Sequence, residues 1–305
     1  MILLYNIITT INPYLLLTIS VIFAWIFNVT SNTFAKISNP NEQEVYFGLI
    51  IKQVFGALIL LLLFGFQLPS LFTLFLSLLF GTCIALSVFA SQSALCCGPM
   101  TVSIMITSSG PMIINAVFGA IFWQEKLSII KIIGIIGMVI MMYLIMGVNS
   151  DGKKSSSKFF IFAFTATLFS TSLGFIQKTE QRSEYKSEIG MFLILSFLTS
   201  ALILFIIMLI RKSNTQKVRF NNIFNKKTLP LLLLSGLGYS AIHTLNLYLS
   251  GRLQSVVFFP VANGGPMILT VVAAIVLFHE RPTKKQIIGV IIGIVSILFL
   301  GEIWA

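Results

Sequence analysis

The chain has 305 residues, 57% hydrophobic and 10% charged, with a mean hydropathy of +0.98, a balance outside that of ordinary soluble globular domains. The net charge of +11 would suit nucleic acid only if basic residues shared one surface. They sit instead in short connections between apolar runs, where they set membrane topology, so no nucleic-acid partner is expected.

Apolar runs of roughly 20 residues, the length that crosses about 30 Å of hydrocarbon, recur along the whole chain. In chain order the predicted spans are 13–34, 45–64, 71–90, 101–121 and 128–148, then 159–178, 189–210, 229–249, 255–278 and 284–304. No basic segment precedes Asn12 and no small-residue cleavage site follows, so the first run reads as a membrane helix rather than a signal peptide. Cys83, Cys96 and Cys97 fit neither a disulfide framework nor a zinc spacing. No metal and no cofactor is expected.

The polar stretch from Asn149 to Lys158 divides the chain into residues 1–150 and 151–305. A shift of 155 residues lays Gly110-Pro111-Met112-Ile113 on Gly265-Pro266-Met267-Ile268, Glu125 on Glu280, Ser128 on Thr283 and Gly134 on Gly289. Apolar composition alone would not keep rare glutamates in register. Because five spans separate equivalent positions, each helix of the second half crosses opposite to its counterpart. The fold class expected is therefore an all-α membrane protein with ten transmembrane helices as two inverted five-helix repeats, a plan suited to alternating access.

Two segments carry a family resemblance: Trp123-Gln124-Glu125-Lys126-Leu127-Ser128 followed by Ile132-Ile133-Gly134, and Phe278-His279-Glu280-Arg281-Pro282-Thr283 followed by Ile287-Ile288-Gly289. In these the chain resembles the EamA-like ten-helix members of the drug/metabolite transporter superfamily, nearly over its whole length. The resemblance implies a carrier with substrate held between the halves, and it names no substrate, since the superfamily handles amino acids, metabolites, nucleotide sugars and drugs. The sequence is also similar to the four-helix small multidrug resistance proteins, whose coupling depends on a glutamate in the first helix. The first span here has no carboxylate, so that mechanism does not carry over.

Helix-breaking chemistry recurs at matched depth, Ser108-Ser109-Gly110-Pro111 in the fourth span and Asn263-Gly264-Gly265-Pro266 in the ninth. Proline removes a backbone donor and frees a carbonyl, which in transporters can line a substrate site and in other membrane helices merely allows a kink or close packing. Thr107, Ser108, Asn115 and Asn263 put hydrogen-bonding groups beside these breaks. Asn28 and Asn32 in the first span, and Tyr239, His243 and Asn246 on one face of the eighth, are further candidates, because polar groups in hydrocarbon need partners. These nine residues form the candidate substrate site.

Lys52 is expected to snorkel toward the interface along its stem, with an anion-binding role as the alternative. Every carboxylate falls in a loop or at a span end, so no buried acid couples an ion. Glu125 and Glu280 are expected to cap the following helix or pair with Lys126 and Arg281. No Gly-rich phosphate loop, His-Glu-x-x-His or Gly-x-Ser-x-Gly is present, so no enzymatic activity is expected.

With Lys52 left out, thirteen Lys and Arg fall on the side of the 1–2, 3–4, 5–6, 7–8 and 9–10 connections and six on the other, which by the positive-inside rule places both termini outside. Related ten-helix transporters have the reverse orientation. The function expected is a secondary transporter in the cell membrane for a metabolite, amino acid or drug-like solute. Its partners are that solute and the lipid bilayer, with a homo-oligomer compatible. The alternatives are a non-transporting sensor or scaffold and a flippase for a lipid-linked substrate.

Overall fold

A computed structural model describes residues 11–97, 100–146, 157–211, 218–276 and 283–301, and all regular structure within them is helical. The long helices are α1 (Pro13–Ser38), α2 (Glu42–Phe64), α3 (Leu71–Cys97), α4 (Met100–Phe122), α5 (Ile129–Met146), α6 (Ser157–Gln181), α7 (Ile189–Ile210), α9 (Thr228–Arg252), α10 (Ser255–Val276) and α11 (Lys284–Gly301). A single turn, α8 (Phe220–Ile223), precedes α9. Eight segments are long and apolar enough to cross a membrane, and two apolar stretches, Ile106–Phe122 and Ile129–Ile145, are shorter. Within the described residues, each of the ten predicted spans coincides with one long helix.

Large apolar side chains such as Leu62, Leu71, Phe75, Ile129 and Phe164 stand exposed along these helices. Water does not tolerate such a surface, whereas hydrocarbon does. The helix ends show why the elements start and stop where they do. Asn12 and Pro13 open α1, with the Asn12 side chain accepting from Tyr14 N at 2.9 Å. Asn41 and Glu44 form a reciprocal capping box on α2.

The chain divides into two compact units, Met1–Ala85 with Thr179–Tyr248, and Leu86–Lys178 with Leu249–Ala305. Each draws on both halves of the sequence. In the first, α2 runs antiparallel to α7: Gly56 lies against Phe197, and a Cβ on Gly190 would stand 2.5 Å from Phe64 Cβ. Small residues at these crossings let the helices approach.

In the second unit α5 and α11 cross antiparallel in a reciprocal way. Gly134, early in α5, meets Leu300 and Ser296 late in α11, and Gly289, early in α11, meets Leu144 and Ile145 late in α5. These glycines are 155 residues apart. The helices also begin alike: Ser128 Oγ accepts from Lys131 N at 3.2 Å, and Thr283 Oγ1 accepts from Gln286 N at 3.3 Å while Gln286 Oε1 accepts from Thr283 N. Equivalent residues thus do equivalent work at these two helices.

Candidate functional site

In the first unit, Tyr239 and His243 meet edge to face one turn apart on α9, with ring centroids 4.3 Å apart. Phe197 of α7 touches both rings, Phe27 of α1 touches Tyr239 and Phe80 of α3 touches His243. The predicted shared face of α9 is therefore an aromatic cluster. His243 Nδ1 is buried without a partner, an arrangement that costs free energy unless something fills it. Asn246 continues the face and accepts from Ser20 Oγ of α1 at 2.6 Å. Asn28 and Asn32 lie one turn apart on an exposed side of α1.

Lys52 stands at the edge of this cluster, and the snorkelling expectation fails. It is the eleventh residue of the 23-residue α2, about 15 Å of helix rise from one end and 18 Å from the other, too far for its stem to reach an interface. The side chain is only 8% exposed. Its ammonium donates to Ser31 Oγ of α1 at 3.0 Å and lies 5.4 Å from the centre of the Phe27 ring. Among the described residues no carboxylate pairs with it. A cation at the centre of a membrane helix costs roughly 2.5–3.5 kcal/mol on insertion scales, so it is retained against a standing penalty. Gly236 permits the closeness: a Cβ there would meet Lys52 O at 3.2 Å. On the same helix, Gln53 Oε1 is buried without a partner.

In the second unit the prolines do not break their helices, and α4 is helical through Pro111 and α10 through Pro260 and Pro266. Hydroxyls bond to carbonyls of α4 in the turns before Pro111. Thr167 Oγ1 of α6 reaches Ile106 O at 3.2 Å, and Thr107 Oγ1 donates to Ser103 O on its own helix. Ser108 is half-buried beside them. Asn263 is exposed and its amide donates back to Phe259 O at 2.8 Å. Asn115 is 2% exposed with neither amide atom partnered. Asn115 and Phe259 both close on Gly174 of α6, where a Cβ would stand 2.5 Å from Asn115 Nδ2 and 2.6 Å from Phe259 Cζ. The structure thus brings Asn115 to the turn of α10 that holds Asn263, within this unit.

Glu125 differs from its expected role. Ser128 caps α5, which releases the glutamate to reach elsewhere. Glu125 Oε2 accepts from Ser255 N at 2.7 Å, capping α10, and Oε1 pairs with the Lys178 ammonium of α6. Lys178 also donates to Ser255 Oγ at 2.7 Å and lies 5.3 Å from the Trp123 ring. The pair is buried, 1% exposed at Lys178 and 5% at Glu125. Gln124, at φ 53, turns the chain back toward it. Lys131 is likewise buried and donates to Gln254 Oε1 at 2.8 Å. Neither lysine is the free loop charge that the topology tally assumed. The counterpart segment with Glu280 and Arg281 lies outside the described residues.

Residues 157–301 match the sequence model of the EamA-like transporter family. The second half of the chain is thus similar to the EamA-like transporter family. A crystal structure of another protein, 14% identical, superposes with a TM-score of 0.67 over 94% of this chain and 95% of its own, a likeness of fold alone. No curated protein matches the sequence. The protein is a multi-pass integral membrane protein, and its Trp123-to-Ser128 motif is in structural terms a turn that carries a helix cap and a buried ion pair. Sequence reading missed Lys52 with Ser31, because a span drawn from residue 45 put the lysine near an end. It missed Lys178 as the partner of Glu125, because their closeness depends on how α4 and α6 pack.

Proposed function

We propose that this protein is a secondary transporter of the cell membrane that moves a small organic solute by alternating access between two inverted five-helix repeats, residues 1–150 and 151–305. The observation that carries the reading is the EamA-like match on a chain of ten long apolar helices. The reciprocal crossing of α5 and α11 at glycines 155 residues apart supports the two-fold relation that exchange between outward-open and inward-open states requires. The nine polar candidates remain the proposed substrate contacts. Uptake by proteoliposomes across a panel of amino acids, metabolites and drug-like compounds tests it. At least one solute should move, and Asn263→Ala or His243→Ala should change its apparent affinity while the protein stays folded. Absence of both flux and binding across the panel sinks the reading.

One observation favours the flippase variant. A groove of about 430 Å³ in the first unit is lined by Ile19 and Phe23 of α1, Ile59 and Leu63 of α2, and Leu237 and Ala241 of α9. Its only side-chain polar groups, the hydroxyls of Ser240 and Thr244, both bond back to their own helix. Such a groove suits an acyl chain. Leaflet exchange of a fluorescent lipid in the same vesicles, measured by dithionite quenching, distinguishes the variants.

A further inference from the structure

We infer that Lys52 is the counter-ion of an organic anion, whose carboxylate or phosphate pairs with the ammonium while its apolar body lies against the rings of Phe27 and Tyr239. The inference rests on the transport reading and names the substrate class for it. Three observations converge. First, Lys52 lies near the middle of α2 and, among the described residues, has a single hydrogen-bond acceptor, the neutral Ser31 hydroxyl at 3.0 Å. An ammonium has three donors, so its remaining capacity faces whatever occupies the site. A membrane protein that needed only shape there would carry a leucine, because a buried charge without a carboxylate is held for function.

Second, the adjoining wall is aromatic. Phe27 contacts both the Lys52 ammonium and the Tyr239 ring, and Tyr239 continues to Phe197 and His243. A π face next to a cation accepts a flat or apolar body attached to an anionic head. Third, hydrogen-bonding capacity is left over in the same unit, at Gln53 Oε1 of the next residue on α2 and at Nδ1 of His243, whose ring packs on Tyr239.

Thermal unfolding of the purified full-length protein in phosphatidylcholine vesicles, with succinate, phenylacetate and glucose 6-phosphate against succinamide, phenylacetamide and glucose, tests the site. At least one anion should raise the midpoint where its neutral counterpart does not. Lys52→Met should weaken that anion's apparent affinity tenfold or more, and Lys52→Arg should weaken it less. Ser31→Ala removes the competing acceptor and should leave affinity unchanged or tighter, an outcome that a purely structural Lys52–Ser31 contact does not give. If no anion shifts the wild type, or Lys52→Met binds as well, the inference is overturned. It is also overturned if only phosphatidylglycerol stabilises the protein through Lys52, since the ligand is then a lipid. Uptake measured on the same vesicles separates the two readings. Lys52-dependent binding without flux defeats transport and leaves the site, whereas flux of a neutral or cationic solute that is indifferent to Lys52→Met defeats the site and leaves transport.

Discussion

Glu125 caps a helix that begins 130 residues further along the chain, its Oε2 accepting the backbone N–H of Ser255 at 2.7 Å while Oε1 holds the buried Lys178 ammonium. One carboxylate thus serves the N-terminus of α10 and the end of α6 together. Gly119 leaves room for this, since a Cβ there would stand 2.5 Å from Glu125 Oε2 and 2.7 Å from Ser255 Cβ.

Removing one partner of this pair leaves a buried charge uncompensated, so Lys178→Met or Glu125→Gln alone should cost about 3–5 kcal/mol. The double variant should recover part of that loss. Unfolding midpoints of the three variants in detergent check it, and equal losses in the single and double variants would contradict the coupling.

Asn115 is buried with both amide atoms unpaired. Replacing an unsatisfied polar group by an apolar one of similar size removes a desolvation penalty of about 1–3 kcal/mol. Asn115→Leu should therefore raise the unfolding midpoint while lowering uptake of any transported solute, the pattern of a residue kept for function at the expense of stability. A stabilised variant with wild-type uptake would remove Asn115 from the site.

Gly110 lets α4 approach α6. A Cβ on it would lie 2.4 Å from Thr167 Cγ2, so Gly110→Ala should destabilise by about 1–3 kcal/mol. Thr167→Ser deletes the clashing methyl and keeps the hydroxyl that reaches Ile106 O. Combined with Gly110→Ala it should restore most of the stability, and failure to do so would place the strain elsewhere.

Two ion pairs at the start of α2 should differ in weight. Glu44 is fully buried and accepts from Arg219 N, Nε and Nη2 and from Asn41 N at 2.8–3.0 Å, and its carboxylate holds the Arg219 guanidinium above its ordinary pKa through that hydrogen bond. Glu42 and Arg211 pair in the open, each more than a third exposed. Glu44→Gln should cost about 1–3 kcal/mol and Glu42→Gln less than about 1 kcal/mol. Denaturation of the two variants side by side reads the difference, which added salt should narrow only on the Glu42 side.

The number and order of the long helices and the 155-residue register were legible in the sequence because each rests on local quantities: apolar length, charged punctuation and the spacing of rare residues. Ser128 and Thr283 occupy their cap positions for the same local reason. The shared face of Tyr239, His243 and Asn246 followed from helical spacing alone.

Tertiary packing decided the rest. Lys52 and Ser31 lie 21 residues apart and Glu125 and Lys178 lie 53 apart, and nothing in either local sequence says which distant helix will supply the partner. Span boundaries a few residues short turned a central lysine into an interfacial one, and the depth of a charge decides whether it is solvated or must be paired. Prolines that read as helix breaks sit within continuous helices, where Thr167 of a neighbouring helix bonds to a carbonyl one turn before Pro111. The sequence by itself determined that this chain is a bundle of membrane helices whose second half is similar to the EamA-like transporters. Which of its few polar and charged groups meet was settled only by packing, because the free energy of a charge in hydrocarbon depends on the one or two atoms it touches.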